Sequence, residues 1–367
     1  MRGRKAAQTN FLCLVNVEDR IPAEHPIRQV KKLIGEVLRE MDGHFDELYA
    51  AGGRDSVPPE RLLGAKVLMA LYSVRSERQF CERLRYDLLF QWFLDINPDE
   101  TWACFAPTVF TKNQERLIGH ATAEVFFATV VELARKHGWV SNEHFSVDGT
   151  LIEAWASMKS FRKKDDPGGP GAGNGWADFK GEARSNDTHQ SRTDPQARLL
   201  KKGAGREARL CFGLHSAMEN RHGLCVALKV HPAVGVSEAQ VALEQADELI
   251  ERGFDPQTMG ADKGYHQAGF VGGCRERQIT PHVAQIEGRQ VAGLDGRTTG
   301  QRSYTSSLIV RRRIEEIFGW IKTIGGLRRS RYRGVERTGL CAQVVGAAYN
   351  LVRMAKLMVS PPAEVGA

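Results

Sequence analysis

The sequence has no run of about 18 consecutive apolar residues, so no segment is suited to cross a bilayer as a helix. Its basic N-terminus is followed by residues of mixed charge, and we expect no secretion signal. The seven cysteines are odd in number and scattered, with none spaced as a zinc or redox pair. We therefore expect a soluble, cytoplasmic protein with reduced thiols.

The chain has 367 residues, enough for two domains, and shows no internal repeat. Its formal net charge of +7 suits a polyanionic partner such as a nucleic acid. An excess of this size is also common among proteins that bind no polyanion. The overall charge alone therefore leaves the partner open.

The first 140 residues carry apolar side chains at spacings of three and four, which is typical of amphipathic helices. This pattern occurs at 26–41, 59–74, 77–93 and 120–137. We predict a helical N-terminal domain spanning 1–140. Two of its helices are joined by a short turn, which is typical of a DNA-binding helix-turn-helix but also of any helical bundle.

From residue 142 onward, strand-like runs alternate with helical patterns. The strands are predicted at 144–147, 209–219, 224–231, 258–261 and 280–285, and the helices at 237–252, 308–324 and 338–358. This order indicates an α/β domain with a mixed sheet, spanning 141–360. A polar insertion at about 156–207 includes the Gly- and Pro-rich stretch 165–175, which is either a disordered loop or one ordered by a partner.

Two aspartates are predicted at the points where strands end. Asp148 follows the strand 144–147, and Asp262 follows the strand 258–261. Ligands of α/β proteins gather at the carboxyl ends of strands, so both carboxylates could converge on one crevice. The alternative is that each aspartate only starts a turn, with the flexibility of a nearby glycine.

The predicted helix 308–324 distinguishes one of its glutamates. At 100° per residue, Arg311, Glu315 and Lys322 lie within roughly 40° of one another along a border of the apolar stripe, whereas Glu316 points about 150° from the stripe's centre. This placement favours Glu315 as a third site carboxylate. The alternative is an ordinary surface ion pair between Arg311 and Glu315, which leaves Lys322 unexplained.

Three carboxylates make an oxygen-only site of the kind that holds Mg²⁺ or Mn²⁺. Two such ions, about 3.5 to 4 Å apart, can activate a water or a 3′-hydroxyl and stabilise the leaving oxygen of a phosphodiester. Arg311 and Lys322 would steady the phosphate, with Lys263 as a further candidate. The segment 302–333 carries nine basic residues against two glutamates, an excess that indicates a nucleic-acid backbone: Arg302, Arg311, Arg312, Arg313, Lys322, Arg328, Arg329, Arg331 and Arg333.

Three motifs resemble the catalytic blocks of bacterial insertion-sequence transposases of the DDE type, most closely the group of insertion sequences four and five. They are Phe-Ser-Val-Asp148-Gly-Thr, Gly-Ala-Asp262-Lys-Gly-Tyr and Arg311-Arg-Arg-Ile-Glu315, which continues to Lys322. The resemblance implies a ribonuclease-H-like core and Asp148, Asp262 and Glu315 as catalytic metal ligands for two Mg²⁺ ions. It also implies cleavage at the terminal inverted repeats of an element, transfer to target DNA, and a homodimer on double-stranded DNA in the bacterial nucleoid.

The third motif departs from the group's pattern at one position. A tyrosine usually stands where this chain has Leu308, and Tyr304 lies one helical turn earlier. Two other functions remain open on sequence grounds, namely a stand-alone nuclease with the same triad and a non-catalytic DNA-binding regulator. Trp155 and Trp176 are candidates for stacking on a flipped base, with ordinary packing as the alternative.

Overall fold

The computed structural model describes residues 16–48, 56–97, 104–119, 121–164, 184–201, 205 and 207–359. Eight helices precede the first strand in this part of the chain. They are α1 (Val17–Arg20), α2 (Ile27–Glu40), α3 (Asp42–Leu48), α4 (Pro59–Leu71), α5 (Glu77–Leu84), α6 (Leu88–Phe93), α7 (Pro107–Gly119) and α8 (Thr122–Lys136). The helical character expected of the N-terminal region is confirmed.

The predicted helix 77–93 is wrong in its continuity, because the structure divides it into α5 and α6. Asp87 causes the division. Its carboxylate accepts hydrogen bonds from the backbone N–H groups of Leu89 and Phe90, at 3.0 and 3.2 Å, and so starts a new helix. The periodicity of apolar residues continues across the break and does not reveal it.

Eight strands follow, and six of them form one mixed sheet. Their bounds are β1 (His144–Glu153), β2 (Phe161–Lys163), β3 (His189–Ser191), β4 (Arg198–Leu200), β5 (Arg209–Glu219), β6 (Cys225–Pro232), β7 (Thr258–Ala261) and β8 (Thr280–Val283). β6, β5, β1, β7 and β8 lie side by side in that order, and β4 shares the outer edge of β5 with β6. β5 is antiparallel to β1 and β6, whereas β1, β7 and β8 run parallel. The predicted ribonuclease-H-like mixed sheet is confirmed.

Six helices complete the second half: α9 (Glu238–Glu251), α10 (Ala268–Glu276), α11 (Gly296–Thr299), α12 (Arg302–Val310), α13 (Ile314–Thr323) and α14 (Val335–Val359). The single helix predicted at 308–324 is instead α12 and α13, joined by a 3₁₀ turn at Arg311–Arg313. The 3₁₀ turn consists of three consecutive arginines, none of them buried. The buried apolar residues that pack α13 on the sheet begin at Ile314, directly after this turn.

α14 joins the two halves of the chain. It packs against α2, α4 and α8 of the N-terminal half and against β6 and α13 of the second half. The buried apolar residues accordingly form one continuous cluster from Ile21 to Ala355. The division into domains at residue 140 stays a prediction.

The described ends of the polar insertion are ordered by the chain itself. β2 pairs antiparallel with β3, and β4 adds a short strand to the main sheet. The Gly- and Pro-rich stretch 165–175 and Trp176 lie outside the described residues. Among the described helices, none is both long and apolar enough to cross a membrane.

Candidate active site

A notch in the sheet brings most of the predicted site residues together. β7 pairs with β1 only as far as Ser146. On the same side, Glu153 at the far end of β1 exchanges backbone hydrogen bonds with Arg328 and Ser330, at 3.1 and 2.7 Å. The β1 residues between these two pairings face an opening in the sheet, and Asp148 and Thr150 lie at that opening.

Asp148 lies inside β1, so its predicted position at the end of a strand is wrong. β5 continues to pair with β1 through Glu153, and this pairing extends the strand past the point where β7 ends. The register nevertheless aligns the two aspartates. Ser146 stands opposite Gly260, so Asp148 and Asp262, each two residues further on, lie at the same level of the sheet and on the same face.

Backbone amides hold both carboxylates in place. The Oδ1 atom of Asp148 accepts a hydrogen bond from the N–H of Gly149, at 2.8 Å. The Oδ1 atom of Asp262 accepts one from the N–H of Gly264, at 2.7 Å, which caps the 3₁₀ turn Lys263–Tyr265. Gly264 therefore follows Asp262 in a turn, whereas Gly149 lies within β1 opposite His215. Among the described residues, the second oxygen of each aspartate accepts no hydrogen bond.

The notch disfavours negative charge on Asp148. Desolvation raises the pKa of its carboxyl from 3.8 to about 6, and the charges of Asp262 and Glu238 act in the same direction. The Gly149 amide and the Arg311 guanidinium oppose the shift. A carboxyl that is costly to ionise, next to other carboxylates, favours a cation in the same place.

Arg311 and Lys322 both face the notch. A side-chain carbon added at Gly260 of β7 would lie 3.6 Å from the Cβ of Arg311. At the other end of α13, the ammonium group of Lys322 donates a hydrogen bond to the hydroxyl of Thr150, at 2.5 Å. The two cations therefore flank Asp148 along β1.

Glu315 and Glu316 are both exposed, so exposure does not distinguish the site candidate from its neighbour. Sequence spacing distinguishes them, because Arg311, Glu315 and Lys322 lie four and seven residues apart and so share one face of the helical segment. The alternative of an Arg311–Glu315 ion pair is not formed among the described residues. Nor do any three His, Cys, Asp or Glu side chains of the described ranges stand close enough to hold a metal ion as they are.

The remaining basic candidates surround the notch. Lys263 is exposed directly after Asp262, and Arg328 is exposed beside the far end of β1. The guanidinium of Arg329 donates to the carbonyls of Ala154 and Trp155, at 3.1 and 2.8 Å, and lies 5.7 Å from the centroid of the Trp155 ring.

Trp155 is 49% exposed, with its ring against that guanidinium. Such exposure is unusual for a tryptophan that only fills a core. Stacking on a base stays a prediction for this residue.

Tyr304 does not take the place of the missing tyrosine. It is buried, its hydroxyl donates to the carbonyl of Val283 in β8, at 2.7 Å, and its ring packs edge-on against His282. Leu308 is half-buried against the core. Tyr304 therefore anchors α12 to the sheet.

Two residues near the aspartates escaped the sequence analysis. Glu238 starts α9, and Tyr265 ends the turn that follows Asp262. The position of Glu238, directly after a serine N-cap, indicates only a helix start. Its proximity to the notch arises from packing of α9 on the sheet, for which the sequence carries no local signal.

The chain matches two families of known proteins. Residues 143–351 match the family described as Transposase DDE domain, and residues 15–116 match Transposase domain (DUF772). The first match covers more than half of the chain, so the chain belongs to the DDE transposase family. Its function is DNA transposition.

Two solved structures are matched to this chain by alignments that span most of its length. One is a piggyBac transposase synaptic complex with hairpin DNA, with a TM-score of 0.41 and 8% identity, covering 93% of this chain and 77% of that chain. The other is a pre-cleavage Mos1 transpososome, with a TM-score of 0.19 and 7% identity, covering 84% and 81%. No curated protein sequence matches.

Proposed function

We propose that this transposase cleaves double-stranded DNA at the terminal inverted repeats of its element and joins the freed 3′-hydroxyls to target DNA, with Asp148, Asp262 and Glu315 as its catalytic carboxylates. The alignment of Asp148 and Asp262 across adjacent parallel strands carries the proposal. The desolvation and carboxylate repulsion at Asp148 support it, because they disfavour the site without a bound cation.

The donor set suits two Mg²⁺ ions, with Mn²⁺ as an alternative. Carboxylate oxygens are the ligands that these hard ions prefer. When bound, the ions supply activation of a water or 3′-hydroxyl and stabilisation of the leaving oxygen. Glu315 is the ligand that has to move, since it is exposed and not yet grouped with the aspartates.

The chain's own cations position the DNA. Arg311 and Lys322 stand on either side of Asp148, so a phosphodiester entering the notch would contact both. Lys263 and Arg328 lie exposed around the notch and extend this contact to neighbouring phosphates, and Arg329 adds its charge beside Trp155. We further propose a homodimer on DNA in the bacterial nucleoid, so that two element ends are held together.

The decisive experiment measures cleavage and strand transfer of a labelled element-end duplex with Mg²⁺. Asp148→Asn, Asp262→Asn and Glu315→Gln should each abolish both steps, while Glu316→Gln, the neighbouring glutamate of equal exposure, should retain them. The assay separates joining from cutting, so hydrolysis without strand transfer would identify a stand-alone nuclease. Activity that survives all three substitutions would refute the triad.

A further inference from the structure

The α4–α5 corner, residues 72–78, lies against the segment that closes the far side of the notch. The hydroxyl of Ser73 donates a hydrogen bond to the carbonyl of Ile324, at 2.8 Å. The guanidinium of Arg331 donates one to the carbonyl of Val74, at 3.2 Å. Between these two contacts, the same segment forms the backbone hydrogen bonds with the end of β1 that close the notch. One short segment therefore connects the α4–α5 corner to the notch.

The backbone of the corner is held in place by its own contacts. Ser73 adopts a left-handed φ of 51°. The buried Val74 donates from its backbone N–H to the carbonyl of Met69, at 2.9 Å. The hydroxyl of Ser76 caps α5 by accepting a hydrogen bond from the N–H of Gln79, at 3.1 Å. The corner is thus fixed relative to the notch.

Two arginines of the corner are open to solvent. Arg75 and Arg78 are exposed, and neither forms an ion pair within the described part of the chain. The acidic residue between them is already neutralised, because the carboxylate of Glu77 pairs with the ammonium group of Lys66, at 2.5 Å. The next carboxylate, that of Glu82, is exposed one helical turn further along α5. The corner therefore leaves the charge of both arginines for an external anion.

The positive charge continues from the corner to the notch. Arg328 and Arg329 are exposed on the connecting segment, and Lys322 lies just before it, bound to Thr150 of the notch strand. Duplex DNA carries one negative charge per about 1.7 Å of its axis, so a duplex with one phosphodiester in the notch presents further phosphates to the cations beside it. The helix pair α4–α5, which sequence spacing alone could not assign to DNA binding or to packing, thus lies next to the proposed DNA site.

We propose that the α4–α5 corner is a second DNA-contacting surface, on which Arg75 and Arg78 bind phosphates of the same element-end duplex that is cleaved in the notch. This inference rests on the proposed function, which places the scissile phosphodiester between Arg311 and Lys322. The two arginines supply affinity and fix how the duplex lies. They read no sequence, because contacts to phosphates position a protein on DNA without distinguishing bases.

The test is the affinity of the full chain for a labelled element-end duplex, measured by fluorescence anisotropy without divalent metal at several salt concentrations. Each phosphate contact adds about 0.9 to the magnitude of the slope of log affinity against log salt. Arg75→Ala/Arg78→Ala should therefore reduce that slope by about 1.8 and lower the affinity by roughly 10- to 100-fold at about 0.1 M salt. Arg75→Lys/Arg78→Lys should retain most of both, because an ammonium group also binds a phosphate as a point charge.

Arg39→Ala is the matched control. Arg39 is likewise exposed and forms no ion pair among the described residues. It lies beside Glu40, which pairs with Lys136 just before the start of β1, whereas the notch lies along the later part of that strand. Its slope and affinity should match those of the wild type. All these variants should unfold at the wild-type temperature, because substitutions of exposed residues change stability little.

Neutral phosphates show which part of the duplex the corner contacts. A methylphosphonate at a phosphate that Arg75 or Arg78 binds should weaken binding by the wild type and leave binding by the double alanine variant unchanged. The same scan with Arg328→Ala should identify different phosphates on the same duplex, nearer to the cleaved bond.

Three outcomes would overturn the inference. If Arg75→Ala/Arg78→Ala keeps the wild-type slope while Arg328→Ala reduces it, the corner does not contact the DNA and the proposed function stands. If the double variant binds and cleaves element ends normally but loses strand transfer, the corner contacts target DNA instead of the element end. If neither the double variant nor Arg328→Ala changes the slope, both the inference and the proposed DNA contacts around the notch fail.

Discussion

Replacing Asp148 by asparagine should stabilise the protein in the absence of metal. The substitution keeps the shape of the side chain and removes a charge that the fold disfavours. The pKa of this carboxyl rises from 3.8 to about 6 on folding. Each unit corresponds to about 1.4 kcal/mol, so ionised Asp148 costs the folded state about 3 kcal/mol.

The sign of this effect gives it a characteristic pH dependence. A carboxyl whose pKa is raised on folding binds its proton more tightly in the folded state, so it destabilises the fold only where it is ionised. The cost is absent below pH 3.8, grows as pH rises, and is complete above about 6. At about pH 5, roughly half of it remains.

Differential scanning calorimetry in chelator tests the magnitude. With an unfolding entropy of about 2.1 cal/mol/K per residue, 3 kcal/mol should raise the melting temperature of Asp148→Asn by about 4 °C at about pH 7.5. The rise should halve at about pH 5. The control Asp255→Asn, at an exposed position before β7, should change the melting temperature little. A lower melting temperature for Asp148→Asn, or a rise independent of pH, would refute the reasoning.

Two further substitutions separate stability from catalysis. Tyr304→Phe removes the hydroxyl that donates to Val283, so the free energy of unfolding should fall by about 1 kcal/mol while the rate of DNA cleavage stays the same. Slower cleavage at unchanged stability would show instead that Tyr304 acts in the active site. Gly325→Ala places a methyl group 2.3 Å from a Val345 methyl and 2.8 Å from the Ile321 carbonyl, and should destabilise by about 1–3 kcal/mol or more. Gly319→Ala is the control, because a Cβ added at Gly319 meets no atom within 4 Å, and it should stabilise α13 by up to about 1 kcal/mol. If both alanines changed the melting temperature equally, the close packing around Gly325 would be contradicted.

The sequence predicted those features that depend on local pattern. The strand 258–261 coincides with β7, and 209–219 coincides with β5, because turn-forming residues border both runs. The stripe of Arg311, Glu315 and Lys322 follows from helical spacing in the same way. Two of its members contact the notch as expected, despite the 3₁₀ turn within the segment.

Features that depend on pairing between distant segments could not be predicted. Asp148 lies inside a strand because β5 extends β1 while β7 stops short of it, and both lengths are set by residues distant in sequence, the nearest being Cys211 of β5 opposite Glu153. The closeness of Glu238 to β1 depends on the absence of a side chain at Gly149, because a Cβ added there would lie 3.1 Å from the Oε1 atom of Glu238. Periodicity within either segment contains no information about that contact.

The same long-range packing bears on how the N-terminal helices can be studied. α14 buries apolar side chains against α2, α4 and α8, and Lys66 of α4 donates to Glu77 and to the Tyr332 hydroxyl, at 2.5 and 3.2 Å. A chain starting at residue 141 would expose this whole face of α14, and exposed apolar patches of that size promote association.

We therefore expect residues 141–367 to aggregate or to unfold without cooperativity, as measured by size-exclusion chromatography and calorimetry. A monomeric fragment with a sharp melting transition would show instead that the boundary at residue 140 separates two independent domains. If the fragment fails as expected, lost DNA binding in it says nothing about which helix reads the element ends. Substitution of exposed residues on α2 to α7 in the full chain then becomes the valid test, because it changes the surface and leaves the shared core intact.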